Sequence, residues 1–165
     1  MNHGMISAPQ PEAVEAGLEV FKTGGNVVDA AIAAALVQTV VDPQMCGVAG
    51  FGSMQLYRAD ERRHYSIDFH GRAPLATRED QWQALIDREC DDGFGFVLKG
   101  QVNELGYTSM TTPLTIKAFS EAIQQFGTRT LADLLAPAIS YCHEGFAVRP
   151  HVHGFWRQPA QAGRI

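Results

Sequence analysis

The sequence predicts an α+β fold, and within that class a piece of a larger sheet-and-helix sandwich. Three observations carry this reading. Apolar residues recur at helical spacing in both the first and last thirds of the chain, with a strand-like pair between them. The run Val27–Leu36 is apolar on nearly every side, so that helix has to be covered all round. Two short strands cannot be stable alone, so the pair needs further layers.

The elements follow in order. Gly4 to Pro9 mixes small and apolar residues and reads as a short strand. Pro11 sits where a helix starts, and Val14, Leu18 and Phe21 continue it at helical spacing. Gly24 and Gly25 stop that helix, Asn26 caps the next, and Asp29 stands in its positive first turn. This second helix ends near Thr39, before Asp42-Pro43. Gly47 to Ser53 is a tight turn feeding a strand, and Met54–Tyr57 and Tyr65–Phe69 form a hairpin across a polar connection. Thr77 to Leu85 is expected to be a short helix, and Asp87 to Gly93 an acidic loop. Ile116, Phe119, Ile123 and Phe126 mark another amphipathic helix, ended by Gly127. Thr130 and Asp133 form a near capping box for the last helix. Pro137 is expected to interrupt or kink it, and Gly145 ends it. Arg149 to Ile165 shows no clear period.

Composition narrows the function classes. The 165 residues are 45% hydrophobic and 19% charged, as in a globular domain. The net charge of -5 and the lack of any basic block argue against a nucleic-acid partner or a basic membrane-binding helix. Three separated cysteines, Cys46, Cys90 and Cys142, read as reduced thiols rather than a disulfide framework. The N-terminus lacks the marks of a signal peptide, and no apolar run is long enough to span a bilayer. The expectation is therefore cytoplasmic, with no membrane partner. The turn at Gly47–Gly52 fits neither nucleotide-binding glycine pattern, and Asp87–Gly93 lacks calcium-loop spacing. Cys142-His143 with His151 and His153 lacks the paired spacing of a zinc set. No metal and no cofactor are expected.

One segment stands apart, Ser66 to Pro74. A strand ends there, followed by His70 and Arg72 and then a proline turn. Strand ends commonly line clefts. Arg72 is suited to gripping a carboxylate with two hydrogen bonds, and His70 to donating one or two. These two residues are the candidate substrate-binding positions. No catalytic nucleophile pattern is present, and Thr111-Thr112 is internal and reads as a turn or helix start.

Several separated blocks stand in a definite order: Gly24-Gly25-Asn26 with Asp29-Ala30-Ala31, then Asp42-Pro43, then Gly47, Gly50 and Gly52. They continue through Ile67-Asp68-Phe69 with Ala73-Pro74, Phe126-Gly127-Thr128, Leu134–Ala138 and Glu144-Gly145-Phe146. In these blocks the chain resembles the γ-glutamyltranspeptidases. The resemblance implies a four-layer αββα N-terminal-nucleophile hydrolase, made as a precursor that cuts itself into two subunits. It also implies a threonine nucleophile whose own amine is the base. The matched blocks belong to the front of the large subunit. The chain is therefore expected to be a single incomplete domain over residues 1–165, lacking the catalytic threonine and inactive alone. Its expected partners are the remainder of the large subunit, the catalytic small subunit, and a small γ-glutamyl or other acid amide substrate.

Within the match, the family's substrate arginine falls at His70 and the following glutamate at Gly71. Arg72 lies two positions further on, a displacement of several Å. This keeps two other readings open: a fragment of an amidohydrolase or acylase acting on another small acid amide, and a non-enzymatic fragment. The apolar helix Val27–Thr39 is expected to be left partly uncovered in the isolated chain, favouring poor solubility or oligomerisation.

Overall fold

The computed structural model describes residues 4–158. Helix α1 spans Pro11–Lys22, with proline in its first turn, Glu12 at the positive end and Lys22 at the negative end. Gly24, at φ 86°, turns the chain out of α1 in the left-handed region. Helix α2, Val27–Val41, opens with a capping box: the Asn26 side chain accepts from the backbone of Val28 and Asp29, while Asp29 accepts from the Asn26 backbone. The strands β1, Ser53–Arg58, and β2, Arg63–Asp68, form an antiparallel hairpin in which Ser53 pairs with Asp68 and Arg58 with Arg63. Helices α3, Thr115–Phe126, and α4, Leu131–Glu144, close the core, and α4 starts with its own capping box between Thr130 and Asp133.

The core centres on α2. Val28, Ile32, Ala33, Leu36, Val37 and Val41 are buried among Ala13 and Ala16 of α1, Ala118, Phe119 and Ala122 of α3, and Leu134 and Ala138 of α4. The extent of the expected exposure of α2 is therefore corrected: α1, α3 and α4 cover most of it within this chain, and Val27 and Ala31 are its exposed apolar residues. Small residues make that possible. A Cβ at Gly17 would fall 3.0 Å from the Ala30 carbonyl oxygen and 2.0 Å from Cδ1 of Ile6. Gly17→Ala is expected to push α1 off α2 and lower stability by about 1–3 kcal/mol, read as a lower urea midpoint. Other exposed apolar residues include Leu75, Phe94 and Tyr107 in the excursion after the hairpin.

Four other expectations are corrected. Gly4 to Pro9 is not a strand. Thr77 to Leu85 is a series of turns with one 3-10 turn at Gln83–Leu85. There Arg78 is committed to Asp80 at 3.0 Å, and its backbone N–H to the Gln81 side chain, bonds that compete with a helix. The acidic stretch begins inside a second small sheet, β3 Ile86–Glu89 against β4 Phe96–Leu98. Its connection carries Gly93 and Gly95 at positive φ. Helix α4 runs through Pro137, so of the interruption or kink expected there the interruption is overturned. Past it, Pro150–Trp156 forms helix α5, started by Pro150 and anchored by the buried Val152. The rest of the tail considered above, 159–165, lies outside the described residues. No helix among the described residues is long and apolar enough to cross a membrane.

Candidate functional site

The segment Ile67 to Pro74 is positioned by strand alternation. Phe69 is buried and packs edge-on against Phe119 of α3, ring centroids 6.2 Å apart. It anchors the end of β2, and its backbone N–H donates to the Gly52 carbonyl at 3.0 Å. Its neighbours Asp68 and His70 therefore face the other way, towards solvent. Gly71 then passes tightly beside Thr111, where a Cβ would meet the threonine hydroxyl at 2.3 Å. Arg72 forms an isolated antiparallel bridge with Thr112, whose backbone N–H donates to the Arg72 carbonyl at 2.8 Å.

His70 and Arg72 do not converge on one cavity. The His70 side chain bonds Asp68 through Nδ1 at 2.7 Å, and its ring lies against Phe51 with centroids 5.8 Å apart. Arg72 instead helps to line a cavity of about 390 Å³ between β2 and α3, shared with Asp68, Thr112, Lys117 and Glu121. His70 is absent from that lining. Asp68 links the two: its carboxyl is held below the ordinary carboxylate range, first by the His70 backbone N–H, then by the His70 ring, with the Arg72 charge adding to the effect. Asp68 and Lys117 were not singled out as site residues from the sequence. Strand alternation places Asp68 on the face of His70, whereas nothing local to Lys117 brings α3 to the hairpin.

A second cavity, about 430 Å³, shares Phe69 with the first and has Phe51, the ring beside His70, in its wall. Gln38, Cys46, Thr115 and Phe119 also line it. Behind it sits the buried carboxylate of Asp42. Gln10 donates to it at 2.9 Å, Gln38 at 3.1 Å, and Gln44 donates as well. Gln10 also contacts His151 at 2.6 Å, which ties α5 to the end of α2. Burial, reinforced by the Asp42 charge, pushes the Cys46 thiol up to about 11. Cys46 is expected to react with iodoacetamide at pH 8 at least about tenfold more slowly than the exposed Cys142, as read by mass spectrometry. Among the described residues, no group of three or more His, Cys, Asp or Glu is placed to hold a metal ion.

A sequence model of the family described as Gamma-glutamyltranspeptidase matches residues 13–164. The chain is similar to the Acylase ACY 1 proenzyme of Pseudomonas sp. (strain V22), 34% identical over 92% of this chain and 26% of that one. It is equally similar to the Glutathione hydrolase proenzyme of Pseudomonas sp. (strain A14), 34% identical over 88% of this chain and 24% of that one. It thus spans about a quarter of the length of these curated relatives. Among solved structures, a Gamma-glutamyltranspeptidase from Pseudomonas nitroreducens complexed with L-DON matches all of this chain and 47% of its own, with a TM-score of 0.82 and 28% identity. A cephalosporin acylase from Bacillus halodurans matches 90% of this chain and 25% of its own, with a TM-score of 0.75 and 30% identity.

Proposed function

Because the chain belongs to the γ-glutamyltranspeptidase family, matching its model over residues 13–164, we propose that it forms the front of an enzyme that cleaves or transfers the acyl group of a small amide. Its helices and hairpin are the first elements of the αββα sandwich to which the structural relatives belong. In this reading the catalytic threonine and the rest of both subunits lie outside these 165 residues, which form one incomplete domain and are inactive alone. The support is the share of the relatives' length that the chain spans, about a quarter. The three unpaired thiols Cys46, Cys90 and Cys142 favour a reducing, cytoplasmic setting.

The observation that carries the site assignment is His70 at the end of β2, held by Asp68 and flanked by Phe51. It stands where the resemblance puts the arginine that grips the α-carboxylate of a γ-glutamyl group. Arg72 lines a cavity whose walls do not include His70, which supports His70 rather than Arg72 as the residue at that position. Histidine at this position favours the second reading, an amidohydrolase or acylase for another small acid amide, over glutathione-type substrates.

The test uses an enzyme that contains this chain together with a catalytic threonine. His70→Arg is expected to raise kcat/KM for γ-glutamyl-p-nitroanilide about tenfold or more, by restoring a two-pronged carboxylate grip. Unchanged kcat/KM would show that position 70 does not meet the substrate. The purified chain alone is expected to leave the anilide intact, and turnover by it would overturn the incomplete-domain reading.

A further inference from the structure

We infer that Asp68 is a positioning residue for His70, fixing the imidazole so that Nε2 stands bare and accepts a hydrogen bond from the acyl part of the substrate. This rests on the reading of His70 as a substrate residue. One carboxylate oxygen, Asp68 Oδ1, lies 3.0 Å from the His70 backbone nitrogen and 2.7 Å from Nδ1. A carboxylate only accepts, so both nitrogens donate to it. A neutral imidazole carries one ring proton, and here it sits on Nδ1, which leaves Nε2 as the acceptor. Two further contacts limit the ring. Phe51 lies against it at 34° between planes, and the buried Phe69 between the two residues holds Asp68 and His70 on one face.

The consequence concerns the class of substrate. An arginine offers only donors and matches a carboxylate. In its neutral form, His70 held by Asp68 offers the opposite polarity and pairs with an ammonium, hydroxyl or amide N–H group. The acyl group served by this site therefore presents a donor where a γ-glutamyl group presents its α-carboxylate.

Nitrogen NMR of the full 165-residue chain, labelled at histidine, reads the ring directly. At pH about 8, above histidine titration, the His70 signals are expected to show a protonated Nδ1 and a bare Nε2. Asp68→Ala removes the acceptor and is expected to shift the tautomer ratio about tenfold towards Nε2–H. Asp68→Asn keeps an accepting oxygen and is expected to retain the wild-type ratio. A purely structural role for Asp68 leaves the ratio unchanged in both variants. A proton on Nε2 in the wild type, or an unchanged ratio in Asp68→Ala, overturns the inference. Neither measurement involves turnover, so failure of the reading of His70 as a substrate residue shows separately, as an unaltered kcat/KM in His70→Arg.

Discussion

Asp29→Ala is expected to cost the fold about 3–5 kcal/mol, the range for removing one partner of a buried charged network. The Asp29 side chain is fully buried and has four donors to itself. The Asn26 backbone N–H reaches it at 2.9 Å, that of Thr128 at 2.9 Å, the Thr128 hydroxyl at 2.6 Å and the Arg129 backbone N–H at 3.2 Å. Alanine leaves all four without a partner. The capping box of α2 and the turn between α3 and α4 lose their common anchor together. The Asn26 side chain bonds the Phe126 carbonyl at 2.7 Å, which adds to the same junction. A urea titration reads the loss as a lower midpoint with little change in slope.

The same carboxylate sets a pH dependence. Burial alone would raise its pKa, but the bonds from Thr128, Asn26 and Arg129 outweigh burial and hold it below the ordinary value. A carboxyl depressed in the folded state contributes stability above its unfolded pKa, about 3.9. That contribution is lost as the pH falls through the lower folded value. Wild type and Asp29→Asn are therefore expected to differ most near neutrality and to converge as the pH drops below about 4. A gap that stays constant down to the acid limit would show that the ionised carboxylate is not the source.

Leu36→Ala is the second large effect, about 2–5 kcal/mol. Leu36 has no exposed surface and lies in the centre of α2, inside the cluster that joins α1, α3 and α4. Truncation leaves a cavity that small neighbours such as Ala13, Ala33 and Ala122 cannot fill, because they have no side chain long enough to move into it. Leu36→Met, which nearly conserves volume, is expected to cost less than about 1.5 kcal/mol. The contrast between the two variants in thermal or urea unfolding separates loss of packing from loss of helix propensity.

How much of this was legible in the sequence depended on how far each partner lay along the chain. The cap of α2 was readable because Asn26 and Asp29 are three residues apart. The second task of Asp29 was not, since Thr128 is 99 positions away and no local pattern points to it. The hairpin was readable from alternation around a polar turn. The β3–β4 pair was not: it is short, largely exposed and bulged between Ile86 and Arg88, so its residues lack an apolar alternation. Thr77 to Leu85 was expected to be a short helix, yet it has no buried face to dock. The burial of α2 was rightly demanded by its all-apolar surface, but its cover was sought beyond the chain. Gly17 and the alanines of α1 and α3 allow helices within the chain to supply it. At the candidate site, His70 and Arg72 are near neighbours in sequence, yet only Arg72, bridged to Thr112, lines the cavity between β2 and α3.

That bridge has a consequence for how the chain tolerates change. A single main-chain bond of 2.8 Å joins the two ends of the excursion that runs between Arg72 and Thr112. A short turn spans the same gap in ordinary hairpins. The loop between those ends is thus free to lengthen, shorten or be exchanged without breaking the α1–α2–α4 core. It is where related sequences should differ most in length, and where a foreign peptide is best grafted.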